Sequence, residues 1–213
     1  MNKKMNKDDF LKQWSQLHGG ARIAGVVKGW LNISFFVCRA LFKLKVSPNA
    51  LSVISLLLGA SFVLTIDSNW AILFLVLSLA ADGLDGTLAI ISNRASKWGA
   101  TLDAVMDRIV EGFWAYGLFL LGAPPEAVLI AWLAAFTQEY MRARAGGLGV
   151  TEIGVVTVSE RPIRASLIFI ALVGRALDFS LVNPLAILWA ALQVISAMTV
   201  INFLRPLLRQ SQH

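Results

Sequence analysis

The stretch Ala81–Gly112, ADGLDGTLAIISNRASKWGATLDAVMDRIVEG, decides how this chain is read. It places two aspartates, Asp82 and Asp85, at the end of one strongly apolar run. It places two more, Asp103 and Asp107, at the start of the next. The first pair is three residues apart and the second four, so on helices each pair falls on one face. The short loop between the runs predicts antiparallel neighbours with all four carboxylates at similar depth. An aspartate inside a transmembrane helix costs roughly 2.5–3.5 kcal/mol, so four cost roughly 10–14 kcal/mol on that scale. Their mutual repulsion adds to this, and a bound divalent cation relieves both terms. An all-oxygen set suits Mg²⁺, Mn²⁺ or Ca²⁺ rather than zinc. Neither histidine, His18 or His213, falls near the cluster.

The rest of the chain supplies the membrane. It is 213 residues long and 57% hydrophobic, with a mean hydropathy of +0.68. Val46–Ile66 and Phe179–Leu204 carry no charge, which predicts transmembrane helices. The expected architecture is an all-α membrane protein with six transmembrane helices. The spans are Ser47–Ile66, Trp70–Ile91, Gly99–Leu121, Glu126–Ala145, Pro162–Leu177 and Asn183–Leu208. Ser47 suits the N-cap of the first span and Pro48 its first helical position. Upstream, Asp8–Gly19 reads as a short charged arm. Arg22–Lys45 reads as an amphipathic helix lying in the interface, because only ten uncharged residues separate Lys28 from Arg39; a steeply inserted helix is the alternative. Residues 1–46 are thus expected to form an arm and interfacial helix, and 47–213 a six-helix transmembrane domain.

The formal net charge of +6 does not call for nucleic acid. Lys43, Lys45, Arg94, Lys97, Arg142, Arg144, Arg161, Arg164, Arg205 and Arg209 all fall on the side shared by the termini, against Asp67, Glu126, Arg175 and Asp178 on the other. Positive charge inside puts the termini and all four aspartates at the cytoplasmic face, in a bacterial-type layout the inner membrane. Trp30, Trp70, Trp98 and Trp132 read as interfacial belt residues. The single cysteine, Cys38, excludes an internal disulfide.

Gly83, Gly86 and Gly99 flank the aspartates, and Gly86 with Ala89 leaves room for a flat ring against the helix. Asp82-x-x-Asp85-Gly86-x-x-Ala89, followed by Gly99-x-x-x-Asp103-x-x-x-Asp107, resembles the signature of the CDP-alcohol phosphatidyltransferases. Ser47-Pro48-Asn49 resembles that family's opening of its first span. Arg142-Ala143-Arg144-Ala145 with Glu160-Arg161-Pro162 resembles the acceptor region of its phosphatidylinositol phosphate synthases. The resemblance implies six spans after an interfacial helix, a homodimer, and two Mg²⁺ or Mn²⁺ ions. It implies transfer of a phosphatidyl group from CDP-diacylglycerol to a polar alcohol, phosphorylated as in inositol phosphate or glycerol 3-phosphate, with release of CMP. Asp82, Asp85 and Asp103 would hold the metals. Asp107 would take the acceptor proton and touch a metal. Asn49, Gly86, Ala89 and Gly99 would border the nucleotide beside Asp82 and Asp85. For the acceptor, Lys97, Arg142, Arg144, Arg161, Arg164 and Arg205 offer guanidinium and ammonium groups to a phosphate. Glu139 and Glu152 would bind hydroxyls or pair with these arginines. Glu111, four residues after Asp107, reads as a supporting partner of the site or one half of an ion pair with Arg108 or another helix.

One position departs from the family pattern. Ile90 stands where an arginine usually follows the alanine, and Arg94 comes one helical turn later. Two other classes stay in view. One is a cation transporter or channel using the acidic cluster, which would more naturally show internal repeats and helices broken at midplane. The other is a family member that keeps the fold without catalysis, for which Ile90 is the support.

Overall fold

The computed structural model describes residues 5–17, 19–150 and 155–210; His18 and Glu152 lie outside them. Among the described residues the protein is all-helical: α1 (Lys7–Leu17), α2 (Gly25–Lys43), α3 (Pro48–Leu64), α4 (Trp70–Ser92), α5 (Lys97–Leu120), α6 (Pro125–Gly147), α7 (Arg161–Ala176) and α8 (Val182–Gln210). Each span expected from the sequence has its helix. Local chemistry explains the ends. The Ala50 N–H donates to Ser47 Oγ at 3.2 Å, so Ser47 caps α3 with Pro48 in its first turn. Asn93 adopts a left-handed φ of 54°. The Asn93 and Arg94 N–H groups return to the carbonyls of Ile90 and Ala89, which closes α4. Three residues later Ser96 Oγ accepts the Gly99 N–H at 3.0 Å and starts α5.

Among the described residues three helices are long and apolar enough to cross a membrane: α2, α4 and α8. α3 is apolar but spans 17 residues. α5, α6 and α7 carry more charged residues, Asp103, Asp107 and Glu111, Glu139 and Arg142, and Arg161 and Arg164 among them. Large apolar side chains such as Phe36, Leu77, Leu133 and Ile195 are exposed, as expected where hydrocarbon replaces water. The chain is a membrane protein.

Two compact units divide the chain, residues 1–58 with 76–109 and residues 59–75 with 110–213, so the division passes through α3, α4 and α5. In the first, α1 lies on α2, and Phe10, Leu31 and Phe35 form an apolar cluster with Ile90 from α4. A second cluster joins Cys38, Leu51 and Leu88. The Ser55 and Ser78 hydroxyls each donate to the other's backbone carbonyl, at 2.9 and 2.8 Å. This leaves neither buried hydroxyl unsatisfied in an apolar surround. In the second unit α6 and α7 both pack on α8. Trp114 and Trp189 are fully buried there, and Gln193 donates to Gln138 at 2.8 Å between α8 and α6.

Candidate active site

The tight α4–α5 loop folds the two acidic faces together within the first unit. One carboxylate oxygen each from Asp82, Asp103 and Asp107 lies within 4.8 Å of the others. That donor set is all oxygen, and such a separation fits a small divalent cation with oxygen ligands near 2.0–2.1 Å after slight closure. The residues therefore fit Mg²⁺ or Mn²⁺. Asp107 also lies 3.5 Å from the Arg108 guanidinium.

Asp85 is held differently. It is buried, and Ser52 Oγ on α3 donates to its Oδ2 at 2.5 Å. That bond fixes one oxygen and orients the carboxylate. Ser52 was not among the residues expected from the sequence. The available signal was a pair of hydroxyls, Ser52 and Ser55, three apart on one face of an otherwise apolar helix. Ser52→Ala is expected to weaken Mn²⁺ binding by about ten- to a hundredfold, measured by titrating the purified protein, with Ser52→Thr close to wild type. Unchanged Mn²⁺ affinity in Ser52→Ala removes Asp85 from the ligand set.

The glycines divide into three roles. A Cβ on Gly86 would meet nothing within 4 Å, so the surface beside Asp85 is open. A Cβ on Gly99 would lie 3.1 Å from Asn49 Oδ1, which brings Asn49 and Gly99 together. A Cβ on Gly83 would lie 2.7 Å from the Trp30 ring. Trp30, read from the sequence as a belt residue, thus packs α2 against the motif helix. Ala89 is half-buried, and Arg94 and Lys97 are exposed around the loop. Ile90 is buried with Phe10, Leu31 and Phe35. In this chain α1 and α2 cover the position that carries the family arginine, and a guanidinium there would lie among apolar side chains.

The second unit collects the arginines into a network. Arg164 is fully buried. Its Nη1 donates to Glu111 Oε1 at 2.7 Å, its Nη2 to Glu139 Oε1 at 3.2 Å and its Nε to the Ser159 carbonyl at 2.9 Å. Arg142 donates to Glu139 Oε1 at 3.1 Å, to both oxygens of Glu160 and to the Val155 carbonyl. Arg161 stacks over the Trp114 ring, its guanidinium carbon 5.5 Å from the centroid, and lies 4.0 Å from Glu111. Burial alone would raise the Glu160 carboxyl. Hydrogen bonds from Arg142 and from the Thr157 N–H and hydroxyl outweigh it and hold the group at about 2. Glu160 is therefore charged at neutral pH and ties the α6–α7 loop to α6. Glu111 thus pairs with Arg164 of another helix, and Glu139 pairs with Arg142 and Arg164. Arg144 and Arg205 are exposed on α6 and α8 and stand outside these contacts.

Comparison with known proteins agrees with this geometry. The CDP-alcohol phosphatidyltransferase family model matches residues 45–201. The phosphatidylinositol phosphate synthase of Corynebacterium glutamicum is 34% identical over 68% of this chain and 72% of its own. The archaetidylinositol phosphate synthase of Pyrococcus horikoshii is 31% identical over 62% of this chain and 72% of its own. Among solved structures, Mycobacterium tuberculosis phosphatidylinositol phosphate synthase with CDP-DAG bound superposes with a TM-score of 0.66 at 25% identity, over 81% of this chain and 94% of that one. The same enzyme in complex with manganese and citrate shares the fold, with a TM-score of 0.67 at 24% identity over 80% and 88% of the two chains. With its paired aspartates, intervening glycines and capped first span all inside the matched region, the chain belongs to the CDP-alcohol phosphatidyltransferase family.

Proposed function

We propose that this enzyme transfers the phosphatidyl group of CDP-diacylglycerol to a hydroxyl of a polar alcohol and releases CMP. The observation that carries the reading is the convergence of Asp82, Asp103 and Asp107 beside the open surface at Gly86. Mg²⁺ or Mn²⁺, in our reading two ions, supplies neutralisation of the pyrophosphate charge when bound. Asp82, Asp85 and Asp103 would hold the metal, and Asp107 would lie against it. The Asp107 carboxylate removes the proton from the acceptor hydroxyl. The hydroxyl oxygen then bonds to the phosphorus that carries diacylglycerol, and the bond from that phosphorus to the CMP oxygen breaks. Asn49, Gly86, Ala89 and Gly99 form the nucleotide seat.

For the acceptor we infer a phosphorylated polyol: Arg142, Arg144, Arg161, Arg164, Arg205 and Lys97 each offer a cation of the kind that binds phosphate. The names of the relatives, inositol phosphate synthases among them, support that class. We further infer six transmembrane spans, α3 to α8, with α2 in the interface and the termini and aspartates cytoplasmic. The distribution of basic residues supports this, as do Lys28 and Arg39 on α2. A homodimer in the cell inner membrane is the matching assembly.

The test is direct. Purified protein given CDP-diacylglycerol, Mn²⁺ and a panel of alcohols is expected to release CMP, with the best acceptors carrying a phosphate. Chelation with EDTA is expected to stop release, and added Mn²⁺ to restore it. CMP release that ignores EDTA would overturn the metal assignment, and no CMP with any alcohol would overturn the activity.

A further inference from the structure

The arginine network holds a carboxylate where an anionic ligand would be gripped. Glu139 Oε1 lies 3.1 Å from Arg142 Nη1 on α6 and 3.2 Å from Arg164 Nη2 on α7. One anionic oxygen between two guanidinium groups is the arrangement a phosphate oxygen makes with an arginine pair. The surrounding charges make the occupancy matter. Arg142, Arg161 and Arg164 face Glu111, Glu139 and Glu160, three cations against three anions. An added phosphate therefore meets no net attraction from the six until one carboxylate withdraws.

The three carboxylates are not equally able to withdraw. Glu111 is only 1% exposed and pairs with Arg164 at 2.7 Å. Glu160 is bound by Arg142 and by both the N–H and the hydroxyl of Thr157. The Glu139 side chain is 26% exposed, about as much as Glu160. Glu139 Oε1 meets only side chains in the contacts described, the two arginines and Gln138 Nε2 at 3.4 Å, whereas Glu160 is also tied to the backbone of its own loop. Glu139 is the member an incoming anion can reach and replace.

We propose that Glu139 is a resident counter-ion that occupies the acceptor's phosphate position and exchanges with it, and so determines how strongly phosphorylated alcohols are preferred over uncharged ones. The inference rests on the acceptor reading above. Glu139 holds Arg142 and Arg164 in place while no acceptor is bound. On exchange its carboxylate moves toward solvent, and the acceptor phosphate takes over both guanidinium contacts. The wild-type enzyme therefore binds phosphate more weakly than its arginine count alone would imply.

Binding of inorganic phosphate to the full-length purified protein, measured by calorimetry, tests this without any turnover. Glu139→Gln keeps the shape and removes the charge. It is expected to tighten phosphate binding about tenfold, equivalent to about 1.4 kcal/mol. The same variant should raise kcat/KM for a phosphorylated alcohol relative to its unphosphorylated counterpart by about the same factor, with the KM for CDP-diacylglycerol unchanged. Glu139→Asp, which retains charge but shortens the bridge, should tighten phosphate binding by a smaller factor and serves if the glutamine variant does not fold. Phosphate affinity equal to or weaker than wild type in the folded variants overturns the exchange. Wild-type protein that releases no CMP with any alcohol instead defeats the underlying activity, a separate result.

Discussion

Asp107→Asn is expected to lower CMP release by about a hundred- to ten-thousandfold, the range over which a positioned proton acceptor contributes. The side chain keeps its size, so the helix and its neighbours remain as they are. What is lost is the negative charge at one of the three side chains converging within 4.8 Å and, on the proposed mechanism, the base that takes the hydroxyl proton. Two measurements separate these roles. If proton removal dominates, Mn²⁺ affinity changes little while kcat collapses at saturating metal. If ligation dominates, Mn²⁺ affinity falls and excess metal restores part of the rate. Turnover equal to wild type would remove Asp107 from the chemistry.

Arg164→Met is expected to cost about 3–5 kcal/mol of stability, because it leaves a buried carboxylate without its strongest partner. Glu111 is 1% exposed and Arg164 fully buried, 2.7 Å apart. For a chain of this size such a loss corresponds to a fall in melting temperature of about 6–20 °C, read by thermal unfolding in detergent. The double variant Glu111→Gln with Arg164→Met should recover part of that loss, since neither charge is then stranded. No fall in the single variant would mean that the remaining partners of Glu111, Arg161 among them, suffice to hold it. The same measurement separates a structural from an acceptor-binding role for Arg164. A purely acceptor-binding arginine would raise the acceptor KM and leave the melting temperature alone.

Much of this protein is legible in its sequence because its signals are local. Ser47-Pro48 marks the start of α3 through a cap that needs only neighbouring residues. The three- and four-residue spacings of the aspartates place each pair on one face, and a short loop does the rest. The choice among the four carboxylates is not local. Asp85 is diverted to Ser52 by the packing of α3 on α4, and nothing in the spacing announces it. The arginines show the same limit. Their sequence positions indicate a basic cluster. Which glutamate neutralises which arginine depends on the approach of α6, α7 and the inner half of α5 within the second unit. Trp30 is a third case. An aromatic residue near a predicted boundary reads as an interfacial anchor, and only the close approach of its ring to Gly83 reveals that it also props the motif helix.

Ile90 and Phe10 lie far apart along the chain yet share one apolar cluster. They form one packing unit. A chimera that restores the consensus arginine at position 90 but keeps this amino terminus would strand a cation beneath an oily lid. One that imports a foreign amino terminus and keeps the isoleucine would leave a greasy socket uncovered beside Ala89. Grafts between this chain and its arginine-bearing cousins should therefore exchange the leading helix and position 90 as a pair.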